Sequence, residues 1–406
     1  MINTELLAPA GNFERLKVAL LYGADAVYAG GDAFSLRVRA KNFSDEDLAR
    51  GIEYTHKKGK KFYLTANVIL RNEDIDGYID YLKKAEELGP DALIISDPGA
   101  FTLAKEFAPS IPIHVSTQAN NTNYMTANFW HKQGAERIVL ARELTLSEIK
   151  EIREKTDPSL SLEAFVHGAM CISYSGRCLL SSYMTGRESN AGDCAHPCRW
   201  NYTLMEEQRP DEHFPVFENE RGTFILNSKD MCMIEHIPEL INSGVTSFKI
   251  EGRVKTEYYV ATVIGAYRRA IDSYLENPDG YKFNPEWMNE LNKVSNRGYT
   301  TGFWLDNPME KGQEYENGGY VRNYDVAAIS KGTDENGNTL FMQKNKLCIG
   351  DEVEIMVPDG EPFTYKIESM TDTDGNKLES VPHPMQGFII NTGRNLPEYA
   401  MIRKKN

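Results

Sequence analysis

Four cysteines carry the most chemistry in this 406-residue chain, and they crowd into 28 positions: Cys171 and Cys178 in "GAMCISYSGRCLL", Cys194 and Cys198 in "GDCAHPCRW". Six residues separate the first two, fifteen the middle two and three the last two. Gly192 and Pro197 can turn the chain so that the second pair of sulfurs faces one point. Four thiolates suit tetrahedral zinc or an iron–sulfur cluster. Structural zinc favours tight C-x2-C knuckles, and neither pair here is so tight; a cubane is wider than one ion and accepts looser spacing. The reading therefore favours a [4Fe-4S] cluster, with zinc as the alternative. Four unligated thiols beside Gly and Pro turns are a poor way to fill a core. His167 and His196 flank the cluster, His196 more in keeping with a supporting or solvated role than with ligation. Cys232, among Met and Ile in "SKDMCMIEHI", reads as packing.

The other candidates are polar residues gathered at the ends of short apolar runs. From the N-terminus the chain repeats one grammar: an apolar run, a polar or Gly-rich loop, then an amphipathic helix closing at Gly23, Gly89, Gly134 or Gly244. Eight such runs, from "ELLAPAGN" to "SFKIEGRVK", predict an α/β fold, a TIM-like (β/α)8 barrel whose parallel strands are covered on both faces. At their C-terminal ends stand Pro9, Asn12, Gly30, Gly31, Asn67, Asp97, Gln118, Asn120, Arg142, Glu143, His167, Lys249, Glu251 and Arg253. In a barrel of this kind that end builds the ligand site, although any one of these residues can equally be a solvated strand end. Arg142, Lys249 and Arg253 suit a carboxylate ligand, Glu251 a proton carrier or orienter, and Asn67, Gln118 and Asn120 the polar edge of a base or donor.

The beat breaks once, in a stretch of about 80 residues between the seventh and eighth runs that holds all four clustered cysteines. The expected organisation is a barrel over 1–300 with a cluster-bearing insertion at 168–232, a linker at 301–322, and a C-terminal antiparallel β-barrel over 323–406, where short alternating segments are split by Asn-Gly and Asp-Gly turns. A net charge of −14 opposes wholesale nonspecific binding to nucleic acid. An RNA partner needs a local basic patch, for which Arg37, Arg39, Lys41, Arg177, Arg187, Arg199 and Lys229 are candidates, with Tyr174, Trp200 and Tyr202 to stack bases. No apolar run is long enough for a membrane span and no secretory leader is evident, so the cytoplasm is the expected compartment.

"EAFVHGAMCISYSGRCLLS" resembles the signature of the family catalogued as peptidase U32. "GADAVYAGG", "HVSTQANNTN", "CRWNY", "NSKDM" and "KIEGRVKTEYYV" are similar to further landmarks of that family, so the resemblance covers the first 300 or so residues and continues into the terminal domain. Within the family the chain looks most like the branch that hydroxylates tRNA. The resemblance implies prephenate-dependent conversion of wobble uridine to 5-hydroxyuridine, with a [4Fe-4S] cluster on Cys171, Cys178, Cys194 and Cys198 and with tRNA and a small carboxylate metabolite as partners. The family name implies a peptidase instead. Against it, Ser175, Ser181 and Ser182 lack a G-x-S-x-G elbow, no H-E-x-x-H helix occurs, and iron-bound cysteines are poor nucleophiles.

Overall fold

Eight strands close into a parallel barrel in the computed structural model, which describes residues 4–36, 42–171, 173, 178, 180–187, 193–199, 217–219, 222–224, 228–306, 308, 312 and 321–406. In chain order they are β1 Glu5–Pro9, β2 Ala26–Gly30, β3 Lys61–Thr65, β4 Ala92–Ile95, β5 Ile113–Val115, β6 Arg137–Val139, β7 Ser161–Ala169 and the closing strand Ser247–Ile250. Each of β1 to β7 pairs in parallel with the next, and the closing strand pairs with both β1 and β7. The strands are apolar because both faces are covered; all of β2, "AVYAG", is buried.

The helices that cover the barrel start where their sequence says they should. Ahead of α1 (Phe13–Leu21), α2 (Asp45–Lys57), α4 (Pro98–Phe107), α5 (Tyr124–Lys132) and α6 (Leu146–Glu154), the side chains of Asn12, Ser44, Asp97, Asn123 and Thr145 each accept the N–H three residues on. Between α2 and α4, α3 spans Ile75–Leu88 and ends at Gly89 in the left-handed conformation. Asn12 and Asp97, grouped by sequence with the site candidates, are thus helix caps.

The insertion contributes a short helix, Leu180–Thr185, that packs on a turn at Pro197–Arg199, and a strand, Asp230–Cys232, that pairs antiparallel with β7 and carries Tyr299–Thr300 on its other edge. Sequence periodicity did not show this extension. Opposite it, β7 and the closing strand run in register from Glu163↔Ser247 to Phe165↔Lys249 and then jump to His167↔Ile250. Val166 is the extra residue of a bulge, and a bulge reverses which face the following side chain takes. The segment expected as a linker is docked in its described part. Trp304 is buried, and its indole N–H donates to the Phe165 carbonyl at 3.1 Å.

Tyr324–Lys405 form an antiparallel sheet in the order Phe363–Lys366, Glu352–Met356, Met401–Lys405, Tyr324–Thr333, Thr339–Gln343, Gly387–Ile390, Met370–Thr371, Lys377–Leu378. It curls around its own core, where Phe341 and Phe388 stack at 5.7 Å. Its two edge strands are not paired with each other among the described residues, so the curl stops short of a hydrogen-bonded barrel. Contacts that fix the sheet to the (β/α)8 barrel include two groups. Fully buried Arg403 lies 2.6 Å from Glu290 of the helix Pro285–Leu291. On α1, the Tyr22 hydroxyl donates to the Tyr399 carbonyl at 3.0 Å, while the Tyr399 hydroxyl bonds Glu14.

Candidate active site

At the C-terminal mouth of the barrel a narrow cavity of about 70 Å³ is lined by Asn67, Gln118, Arg142, Lys249, Glu251 and Arg253, six of the eleven polar residues that the sequence places at the strand ends, together with Tyr28, Thr65, Ser116 and Phe165. They come from loops after β3, β5 and β6 and from the closing strand and the loop after it, and they converge because the strands that carry them do. Asn120 and His167 stay outside this lining. Asn120 ends the turn Thr117–Ala119 in the left-handed conformation at φ 56°.

Arg253 is 4% exposed and is held like a structural element. Its Nη1 donates to Ser35 Oγ at 2.9 Å and Thr65 Oγ1 at 3.2 Å, and its Nη2 to Asn42 Oδ1 at 2.8 Å. The space it needs explains two glycines. A Cβ on Gly30 would lie 2.0 Å from Ser35 Oγ and 2.7 Å from Arg253 Nη2, and one on Gly11 would lie 2.0 Å from the Arg253 carbonyl oxygen. Arg15 Nη1 donates to that same carbonyl at 3.2 Å, tying the loop to α1.

Arg142 lies over the Phe165 ring at 4.0 Å, donates to the Ala169 carbonyl at 3.1 Å, and stands 4.0 Å from Glu251. The Tyr28 hydroxyl donates to the Ile250 carbonyl at 2.9 Å and reaches Glu251 Oε2 at 3.5 Å. Lys249 stands over the Tyr28 ring at 4.4 Å and is paired at 2.6 Å with Glu163. The Asn67 carbonyl group of the side chain accepts the Leu36 N–H at 3.4 Å, and its amide donates to Ser116 Oγ at 3.5 Å. Sequence reasoning missed Tyr28, Ser35, Asn42, Thr65 and Glu163. Only Glu163 carried a signal, as a carboxylate in the middle of the apolar run "SLEAFV".

His167 follows the bulge and therefore leaves the inward row that Glu163 and Phe165 begin. Its ring packs among Tyr259, Tyr267 and Tyr299, at 6.1, 5.5 and 5.4 Å between centroids. Burial pushes its pKa down to about 3, against a smaller opposing pull from Asp230, so the imidazole is neutral. Neither ring nitrogen has a hydrogen-bond partner among the described residues. Cys232 lies in the same box, and burial raises its thiol pKa to about 12, in keeping with packing.

Cys171 is exposed and Cys178, Cys194 and Cys198 are half-buried; none is in a disulfide. The Leu180 N–H donates to Cys178 Sγ and the His196 N–H to Cys194 Sγ, both at 3.3 Å. The Ala195 N–H donates to Ser181 Oγ at 2.9 Å, which joins the two halves of the cysteine segment. Four cysteine sulfurs on one segment are the donor type that zinc or an iron–sulfur cluster takes. In this arrangement no group of three or more Cys, His, Asp or Glu side chains among the described residues is gathered tightly enough to hold a metal ion. Of the basic candidates, Arg187 is paired with Asp193 at 2.9 Å and Lys229 is half-buried. Arg37, Arg39, Lys41, Tyr174, Arg177, Trp200 and Tyr202, and the Arg199 side chain, lie outside the described residues.

The family model described as "Peptidase family U32" matches residues 11–314, and "Peptidase family U32 C-terminal domain" matches 322–403. The chain belongs to peptidase family U32. U32 relatives similar along nearly the whole chain include "tRNA hydroxylation protein P1" of Bacillus subtilis (strain 168), 40% identical over 401 residues, 98% of this chain and 94% of the relative. "tRNA hydroxylation protein P" of Escherichia coli (strain K12) is 39% identical over 423 residues, 94% of this chain and 92% of the relative. Over a shorter stretch, "23S rRNA 5-hydroxycytidine C2501 synthase" of the same organism is 39% identical over 272 residues, 67% of this chain and 40% of the relative. As for the hydrolase in the U32 name, Ser181 is fully buried with its hydroxyl engaged by the Ala195 N–H, which is no setting for a nucleophile. No helix among the described residues is long and apolar enough to cross a membrane.

Proposed function

We propose that this U32 chain is an RNA-modifying enzyme that hydroxylates a pyrimidine of tRNA, converting wobble uridine to 5-hydroxyuridine with prephenate as the carboxylate metabolite. The observation that carries the reading is the mouth of the barrel, where Arg142, Lys249 and Arg253 surround one pocket with Glu251. Such a set suits an anionic metabolite next to a group that moves a proton. The names of the relatives supply the RNA and the hydroxylation.

In this reading Glu251 is the base beside the uracil C5; the Tyr28 hydroxyl and Arg142 keep its carboxylate aimed at the cavity. Arg253, pre-oriented by Ser35, Thr65 and Asn42, presents its guanidinium to a carboxylate. Asn67 and Gln118, with both donors and acceptors, face the polar edge of the base. Cys171, Cys178, Cys194 and Cys198 would hold a [4Fe-4S] cluster, which when bound supplies electron transfer next to the barrel mouth.

Nucleoside mass spectrometry of tRNA from a strain lacking the gene tests the assignment. Loss of 5-hydroxyuridine, restored by the wild-type chain, is expected. An unchanged level would overturn it. Iron and acid-labile sulfide in anaerobically purified protein test the cluster, with about four irons per chain expected and one zinc contradicting it.

A further inference from the structure

β1, β6, β7 and the closing strand each send one ionisable side chain into the barrel interior, and the four form a continuous ladder. Arg137 Nη1 lies 2.6 Å from Glu5 Oε1 and 3.1 Å from Glu163 Oε2, and Lys249 Nζ lies 2.6 Å from Glu163 Oε1. Polar neighbours complete it. The Tyr63 hydroxyl donates to Glu5 at 2.6 Å, Ser247 Oγ donates to Glu5 at 2.7 Å, and Arg137 Nε donates to Ser161 Oγ at 3.0 Å. Two carboxylates and two cations leave the ladder neutral. Burial alone would raise the Glu5 carboxyl, but the Arg137 charge and the hydrogen bonds from Arg137, Tyr63 and Ser247 together outweigh it and hold the group below the ordinary carboxylate range, so the ladder's foot is ionised.

Ionic groups inside a barrel cost more than well-packed apolar ones of the same volume. A ladder of this kind therefore makes sense where one end of it is used. Only one of the four reaches the pocket: Lys249 lines it, whereas Glu163 is fully buried beneath. A lysine on four rotatable bonds is a poorly placed cation unless its head is held. Here the head is gripped from below by Glu163 and flanked by the rings of Tyr28 at 4.4 Å and Phe165 at 5.5 Å.

We propose that Glu163 is a positioning residue for the metabolite site: backed by Arg137, it fixes the Lys249 ammonium at the pocket floor, where that cation meets a carboxylate of the bound metabolite from below. Arg142 and Arg253 meet the same anion from the rim. The inference rests on the reading of this pocket as the prephenate site. It adds that the floor is specified by a carboxylate that never touches the ligand.

A double-mutant cycle on the full-length protein tests it, with prephenate as the probe in isothermal titration and tRNA binding measured in parallel. Glu163→Gln and Lys249→Met should each weaken prephenate at least about tenfold, and the double variant should be no weaker than Lys249→Met alone, because both changes remove one interaction. Affinity for tRNA should stay within about twofold, which general loosening of the barrel would not allow. Glu163→Asp keeps the charge but withdraws it by one methylene; it should fold even if Glu163→Gln does not, and weaken prephenate several-fold. Additive losses in the cycle, or wild-type prephenate affinity in Glu163→Asp, overturn the role of Glu163. A wild-type protein that binds no prephenate overturns the pocket assignment itself, and the inference with it.

Discussion

Replacing Arg253 by lysine keeps the charge at the rim of the pocket but removes the fork. In the structure the guanidinium spans Ser35 and Thr65 on one side and Asn42 on the other, with bonds of 2.8 to 3.2 Å. An ammonium on a shorter head reaches one side only. At least one hydrogen bond to a charged donor is lost, about 1.5–3 kcal/mol, and the paired donors that match a carboxylate go with it. Ser35 and Thr65 still bond each other at 2.6 Å, which limits the damage to the fold and leaves most of it in ligand placement. We expect about 2–3 kcal/mol of lost transition-state stabilisation, or roughly 30- to 150-fold in kcat/KM. The assay is 5-hydroxyuridine formation on purified tRNA with prephenate varied, checked by the thermal midpoint of the variant. A folded Arg253→Lys protein within about threefold of wild type would refute the claim that the guanidinium geometry matters.

Three further outcomes follow from other parts of the molecule. Arg403→Met removes the cation shared by Glu290 and Glu354; with Lys293 still 2.8 Å from both carboxylates, the cost should be near the low end for a broken buried pair, about 3 kcal/mol by denaturant unfolding. Burial alone would raise both carboxyls, but Arg403 and Lys293 hold them below the ordinary value of 4.5, so their contribution is present above that pH and drains as pH falls through the folded value; wild type should lose more stability on acidification than the variant. His167→Phe should keep activity and stability near wild type, because neither imidazole nitrogen has a partner among the described residues, and should lessen the loss of stability below pH 6.5, where the unfolded chain gains a proton that the folded chain, with its value near 3, does not. Cys194→Ser should lower iron and sulfide per chain in anaerobic preparations; unchanged iron content would remove Cys194 from the ligand set.

The barrel was legible because strand-length apolar runs and helices closed by glycine are local signals, and local signals survive folding. The pocket was half legible. Polar residues cluster at the C-terminal ends of strands in any barrel that binds a ligand there, which is why six of the eleven polar candidates meet. The same positions also start helices, so Asn12 and Asp97 looked like site residues while serving as caps. His167 depended on a single bulged residue, and a bulge is fixed by the partner strand rather than by its own sequence. The ionic ladder was out of reach for the same reason: Arg137 and Glu5 are 132 residues apart in the chain. The terminal antiparallel domain was legible on the same local ground, as short alternating strands split by tight turns.

The nine-residue helix α1 is gripped at its start by the barrel mouth, through Arg15 and the Arg253 carbonyl, and at its C-terminal end by the terminal domain, through the capping residue Tyr22 and the Tyr399 carbonyl. Positions near residue 399 and near residue 253 therefore share one mechanical support. Drift at one is constrained by the other, so exchanging the terminal segment between relatives disturbs the arginine at the mouth unless α1 travels with it.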